Sequence, residues 1–410
     1  MVVRSVDADE VAIELNPTRK MDFADGKRNC LRVNMIFRNA KLVFPDGIRD
    51  RLELVVNNGR IDEIRDVTLE ARDVVDLHGN YLAPGFIDLH VHGALGRDCM
   101  EGSAAAFQAI CDYHATGGTT SLLLTTATAP LEQIIGVIEA VRDCRFQNPR
   151  IAGVHVEGPF ISKNKRGAQR AEFIREPTPD SVAKLMAYSE VIKRVTIAPE
   201  LPGALEAISA FFERGVNVSG GHSDAWEDKA RAGFVAGMRS VTHTFNCMSS
   251  ARRDGIHRQA GLLEFALSEP AISCELIADG YHVSPVLIKM LRRAKSARQI
   301  CLVTDATAGA GLPNESKFSL AGLNCIVKGG VALTADGSTL AGSTARMIDL
   351  VLTAVEQVEL PLYEAIAMAT DSPARAIGLR AKGKLALGYD ADFVVLSPNL
   401  EVIRTYLRGC

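Results

Sequence analysis

The spacing of hydrophobic positions changes character along the chain and divides it into three textures. Residues 1 to 33 mix charges with few apolar periods and read as a flexible extension. From residue 34 short alternating segments appear, Ile36–Phe44, Leu52–Val56 and Arg60–Ile64, separated by Asp46-Gly47 and Asn58-Gly59. Apolar residues at every second position bury one face of a strand, and Asp-Gly or Asn-Gly pairs supply tight turns, so this stretch predicts β-hairpins. The same texture returns in Asp392–Leu396 and Val402–Leu407. The economical expectation is one small β-sandwich domain built from both chain ends, residues 34–84 and 378–410, with a larger domain inserted between them.

Residues 85–377 alternate on a longer scale. An opening apolar run, Pro84-Gly85-Phe86-Ile87, is followed by β-rich runs at Ser121–Thr125, Ile151–Val156, Val195–Ala198, Val216–Ser219, Ser240–His243, Ser273–Ile277 and Ile300–Thr304. Helical patterns such as Leu131–Cys144, Ser181–Tyr188 and Pro285–Ala294 lie between them. Eight β/α alternations predict an α/β fold, a (β/α)8 TIM-like barrel. A doubly wound open sheet is the alternative, but no Gly-x-Gly-x-x-Gly follows an early strand to support it.

Composition agrees with a large packed core: 47% of the 410 residues are hydrophobic. A formal net charge of -3 gives no electrostatic reason to expect nucleic acid or an anionic membrane as partner. No apolar run approaches a membrane span, and Met1–Glu10 lacks the basic start and apolar stretch of a secretory signal. Nine cysteines without a Cys-x-x-Cys pair fit reduced, mostly buried thiols in a cytoplasmic protein, with Cys410 an exposed thiol.

Candidate chemistry sits where a barrel of this kind places it, at the C-terminal ends of the strands. In Asp88-Leu89-His90-Val91-His92-Gly93 the two imidazoles share one face of a strand. Glu157, His222, His243 and Asp305 follow at later strand ends. Any one of them has an ordinary reading; Asp305, for instance, could cap a helix. Six at successive strand ends converge on the N/O donor chemistry of zinc or iron, with Glu157 placed to bridge two ions and Asp305 available as a proton shuttle. His155 shares the face of Glu157 and reads as support behind the ligands. His78 and His114 read as structural.

At these residues the chain resembles the amidohydrolase superfamily, and within it the N-acetylglucosamine-6-phosphate deacetylase family. The matching segments are Pro84–Asp88, His155-Val156-Glu157-Gly158-Pro159-Phe160, Ala198-Pro199-Glu200, Gly221-His222-Ser223, Thr242–Asn246, Ile277–His282, Thr304–Thr307 and Leu340–Ser343. The resemblance implies that Glu157, His222 and His243 bind a principal divalent metal, that His90 and His92 give capacity for a second, and that Asp305 is the general acid/base. It further implies a homodimer acting on a phosphorylated N-acetyl amino sugar, with Asn246 and the backbone near Cys247 at the phosphate and His282 at the sugar.

Two departures stand out. The phosphate-binding arginine of the family has its nearest match in Arg258-Gln259-Ala260-Gly261, reached after the extra residues 251–255, which leaves Arg252 and Arg253 as alternatives. Where many relatives carry a histidine that polarises the amide carbonyl, this chain reads Arg166-Gly167-Ala168-Gln169. Gln169 can donate a hydrogen bond to an oxyanion but carries no positive charge, so polarisation would lean on metal. Other readings are the galacto epimer as substrate, a cyclic amide, or a metal-free scaffold.

Overall fold

The computed structural model describes residues 35–67 and 73–410; the extension expected over residues 1–33 lies outside them. Eight parallel strands form the central sheet in strict chain order: Phe86–Val91, Thr119–Thr126, Ile151–Glu157, Ile192–Ile197, Asn217–Gly220, Ser240–Val241, Ser273–Leu276 and Ile300–Leu302. The sheet closes through the residues just beyond the eighth strand. Asp305 N donates to His90 O at 2.9 Å and His92 N to Ala306 O at 2.8 Å. Buried Asp88 strengthens this seam, accepting from Thr304 Oγ1 at 2.6 Å. Closure leaves no exposed edge and aims residues 90, 92 and 305 into one mouth.

The helices follow from amphipathic spacing. Leu131–Cys144 buries Leu131, Ile134, Val137, Ile138 and Val141, the three-and-four repeat of a helix with one face on a barrel wall. Pro179–Met186 starts where Thr178 and Ser181 cap each other, and Pro285–Ala294 begins with proline in its first turn.

Two further sheets come from the two ends of the described chain. One is four-stranded, built from Met35–Arg38, Leu52–Asn57, Arg60–Asp66 and Val74–Asp76. The other is five-stranded, and in it Tyr81–Pro84 pairs with Phe393–Leu396, which pairs with Val402–Tyr406. Phe37 of the first sheet meets Phe393 and Tyr406 of the second edge-to-face at 5.4 and 5.1 Å, so an aromatic cluster joins the layers. The segment Ile36–Phe44 is not a single strand. Asn39, at φ 56°, turns the chain so that Met35–Arg38 serves one sheet and Lys41–Phe44 the other.

An antiparallel sheet of Lys317–Leu320, Leu323–Lys328 and Val331–Thr334 follows the eighth barrel strand, an element the sequence reading did not separate from its surroundings. Its alternating pattern and the Gly329-Gly330 turn were the available signal. Asp98 anchors it by accepting from Ala321 N at 2.8 Å. Among the described residues seven cysteines are free, but Cys410 is disulfide-bonded, not the exposed thiol expected from its place at the chain's end. Among the described residues no helix is long and apolar enough to cross a membrane.

Candidate active site

The mouth of the barrel brings six donor side chains together, all buried. His90 Nε2 lies 3.2 Å from His92 Nε2, and each is 3.3 Å from Asp305 Oδ1. His222 Nε2 and His243 Nε2 are 3.0 Å apart, and lie 3.3 and 3.2 Å from Glu157 Oε1. Glu157 joins the two sets, since Oε1 is 3.3 Å from His90 Nε2 and Oε2 is 3.2 Å from His92 Nε2. Donors held about 2.0–2.1 Å from a tetrahedral ion stand about 3.3–3.4 Å apart, so both sets have the spacing of a preformed cation site. With nitrogen and carboxylate oxygen as its donors, the site suits a divalent metal.

The ring orientations have local causes. Nδ1–H of His222 donates to Lys165 O at 2.8 Å, that of His243 to Asn246 O at 3.2 Å and that of His90 to Glu275 Oε2 at 3.2 Å. Each of these bonds leaves the Nε2 lone pair facing the centre. The backbone is held in uncommon conformations at the same places: His222, His243 and Asp305 have φ of 44°, 29° and 49°. Left-handed non-glycine residues persist only where the surroundings impose them. At Asp305 the surroundings include Ser343 N, donating to its carbonyl at 2.8 Å, and Gly342, at φ 66°, where a Cβ would come within 2.5 Å of that carbonyl.

Electrostatics within the cluster are opposed. Burial disfavours a charged His90, yet the carboxylates of Asp305 and Glu157 outweigh it and hold the ring well above its ordinary pKa. The same contest, with hydrogen bonds to Asp305 and Glu157, lifts His92 to about 9. Burial would push Glu157 up, but His90 and His222 drive it well below the usual carboxylate range. His155 is pushed far down by burial and by the charge of His90; its Nε2 bonds Thr196 Oγ1 at 2.8 Å.

A cavity of about 330 Å³ opens above the donors, lined among others by Gln169, Asn246, Cys247 and His282, with Leu320 and Ser338–Leu340 supplied by the inserted sheet and the turn after it. His282 is aimed by Asp279, whose Oδ2 accepts from Nδ1 at 2.7 Å. Gln169 lines the cavity with its amide held against Glu157. Its Nε2 donates to Glu157 Oε2 at 2.7 Å and its Oε1 accepts from Thr128 N at 2.7 Å, because the Arg166–Gln169 turn lays the amide against the carboxylate. Arg258 is absent from this cavity. It sits on an exposed ribbon, Arg252–Asp254 paired with His257–Gln259, and of its rivals Arg253 faces it across the ribbon while Arg252 stacks 3.4 Å over Trp226. The extra residues 251–255 form part of this ribbon, and none of the three arginines lines the cavity.

Sequence reasoning missed Glu275 and Arg194, which lie buried beneath the donors as an ion pair at 2.9 Å. The signal was a charged residue inside the run Ser273–Ile277 and another just before the run Val195–Ala198. Their meaning depends on strands far apart in sequence.

The model of the amidohydrolase family matches residues 81–410. The chain is 32% identical to the N-acetylglucosamine-6-phosphate deacetylase of Lysinibacillus sphaericus, over 92% of this chain and 97% of that protein. It is 33% identical to the N-acetylgalactosamine-6-phosphate deacetylase of Escherichia coli O157:H7, over 91% and 98%. A solved structure from Mycobacterium smegmatis, a variant N-acetyl-D-glucosamine-6-phosphate deacetylase in complex with N-acetyl-D-glucosamine-6-phosphate, superposes with a TM-score of 0.86 at 30% identity, covering 92% of this chain and 98% of that one. Closed barrel, convergent donor sets and these likenesses agree: the chain belongs to the amidohydrolase family.

Proposed function

We propose that the protein hydrolyses the acetamido group of N-acetylglucosamine-6-phosphate, releasing acetate and glucosamine-6-phosphate. The observation that carries this reading is Glu157, grouped with His222 and His243 and in contact with His90 and His92, at the floor of a cavity that Asp305 also lines. Glu157, His222 and His243 would hold one divalent ion and His90, His92 and Asp305 a second, zinc being favoured by the donors and iron the alternative. A divalent cation held there lowers the pKa of water toward neutrality and polarises a carbonyl.

The chain's own groups supply the rest. Asp305 accepts the proton of the attacking water and delivers it to the nitrogen as the C–N bond breaks, which an amine leaving group requires. Gln169 holds Glu157 in place and leaves carbonyl polarisation to the cation side of the site. His282, kept in one orientation by Asp279, would meet the sugar, and Asn246 with the backbone at Cys247 would meet the phosphate. Arg258, on an exposed ribbon outside its own chain's cavity, would meet the phosphate in a neighbouring subunit's pocket. A phosphorylated substrate does not cross membranes unaided, which supports a cytoplasmic setting.

The galacto epimer is the second reading, favoured by the 33% identity to an N-acetylgalactosamine-6-phosphate deacetylase. A panel of phosphorylated and free N-acetyl hexosamines, run with metal analysis, separates these outcomes. Protein carrying no stoichiometric metal, or deacetylation indifferent to chelator, would overturn the proposal.

A further inference from the structure

Glu275, on the seventh barrel strand, is 1% exposed and touches both donor sets. Its Oε2 accepts Nδ1–H of His90 at 3.2 Å and the backbone N–H of His243 at 3.1 Å. These residues belong to different sets, His90 with His92 and Asp305, His243 with Glu157 and His222. One oxygen therefore spans both.

The other oxygen faces Arg194 Nε at 2.9 Å. Arg194 is itself fully buried, with Nη1 donating to Asn217 Oδ1 and Nη2 to Ser219 Oγ, each at 2.9 Å. From Ser219 a chain of hydroxyls runs through Thr242 and Thr196 to His155 Nε2 in steps of 2.7 to 2.8 Å, and the His155 ring meets His90 edge-on at 4.6 Å. The barrel axis thus holds a connected polar network at the level where other barrels are packed with aliphatic side chains. A buried ion pair gains little over hydrophobic packing of the same volume, so stability alone does not account for placing one there.

We propose, building on the two-cation reading above, that Glu275 is a positioning residue that couples the two metal positions. An anionic acceptor on Nδ1–H orients His90 and raises the basicity of its Nε2. The two positions depend on it unequally. The His243 ring is held separately by Asn246 O at 3.2 Å, whereas Glu275 is the acceptor for Nδ1–H of His90. Loss of the carboxylate weakens the His90–His92–Asp305 position first.

The test is a zinc titration of metal-stripped protein by chelator competition, with stoichiometry from metal analysis, on the wild type and Glu275→Gln. The expected wild-type result is two ions per chain. In Glu275→Gln one ion stays tight and the other weakens about 10- to 100-fold. Should the lone Arg194 charge prevent folding, Arg194→Met/Glu275→Gln removes both charges, and the same selective loss is expected. A variant that melts earlier but takes both ions with unchanged affinity overturns the positioning role while leaving the two-ion reading intact. A wild type that takes one ion overturns the two-ion reading itself, and the coupling with it, before any variant is made.

Discussion

Gln169 donates its side-chain amide to Oε2 of Glu157 at 2.7 Å, while its own carbonyl oxygen is taken by Thr128 N. This clamps the carboxylate grouped with His222 and His243 and in contact with His90 and His92. Gln169→Ala is therefore expected to lower metal affinity or kcat about 10- to 100-fold, with KM little changed. A raised KM at full metal content would return Gln169 to the substrate.

Asp305→Asn keeps the shape of the side chain and removes its capacity to take a proton. Turnover is expected to fall about 10²- to 10⁴-fold, while substrate still binds, as measured by equilibrium binding on the inactive variant. Near-normal turnover would remove Asp305 from the mechanism.

Arg258→Ala is expected to raise KM for the phosphorylated sugar about 10-fold or more, the worth of a charge-assisted hydrogen bond, and to leave activity on the free sugar unchanged. Because the arginine lies outside its own pocket, mixed dimers of Arg258→Ala and Asp305→Asn chains should regain some low-KM activity. An unchanged KM would move the phosphate contact elsewhere.

His114 is buried in the helix Ala104–Thr116, and burial pushes its pKa down from 6.5 to about 4. The unfolded chain takes up a proton at this residue below pH 6.5 while the folded one does not, so stability falls as pH drops from 6.5 toward 4. The loss from this residue is up to about 3 kcal/mol. His114→Gln can still donate to Gly93 O, and denaturant unfolding across that window should show a shallower pH slope than the wild type. An identical slope would place the acid sensitivity in other groups.

Much of this protein is legible in its sequence. Leu131–Cys144 and Pro285–Ala294 are helices over the residues their periodicity marks, because a one-faced apolar stripe and a first-turn proline are local properties. The eight strand runs order themselves into a barrel for a related reason, since consecutive β/α units pack beside their neighbours. The strand-end pattern was legible too, because a barrel converts position after a strand into position at one mouth.

What the tertiary structure decided are relationships with no sequence period. The 3.3 Å spacing of His90 and His92 from Asp305 depends on closure between the first strand and Thr304–Ala306, far apart along the chain. Glu275 and Arg194 acquire meaning only when strands four and seven face each other across the barrel axis. The Gln169 amide points at Glu157 because of a turn whose geometry its letters do not specify, and Arg258 sits outside the cavity on a ribbon of which the extra residues 251–255 form part. Sequence supplied the residue types and their order; through-space contacts between distant strands and loops gave each its orientation.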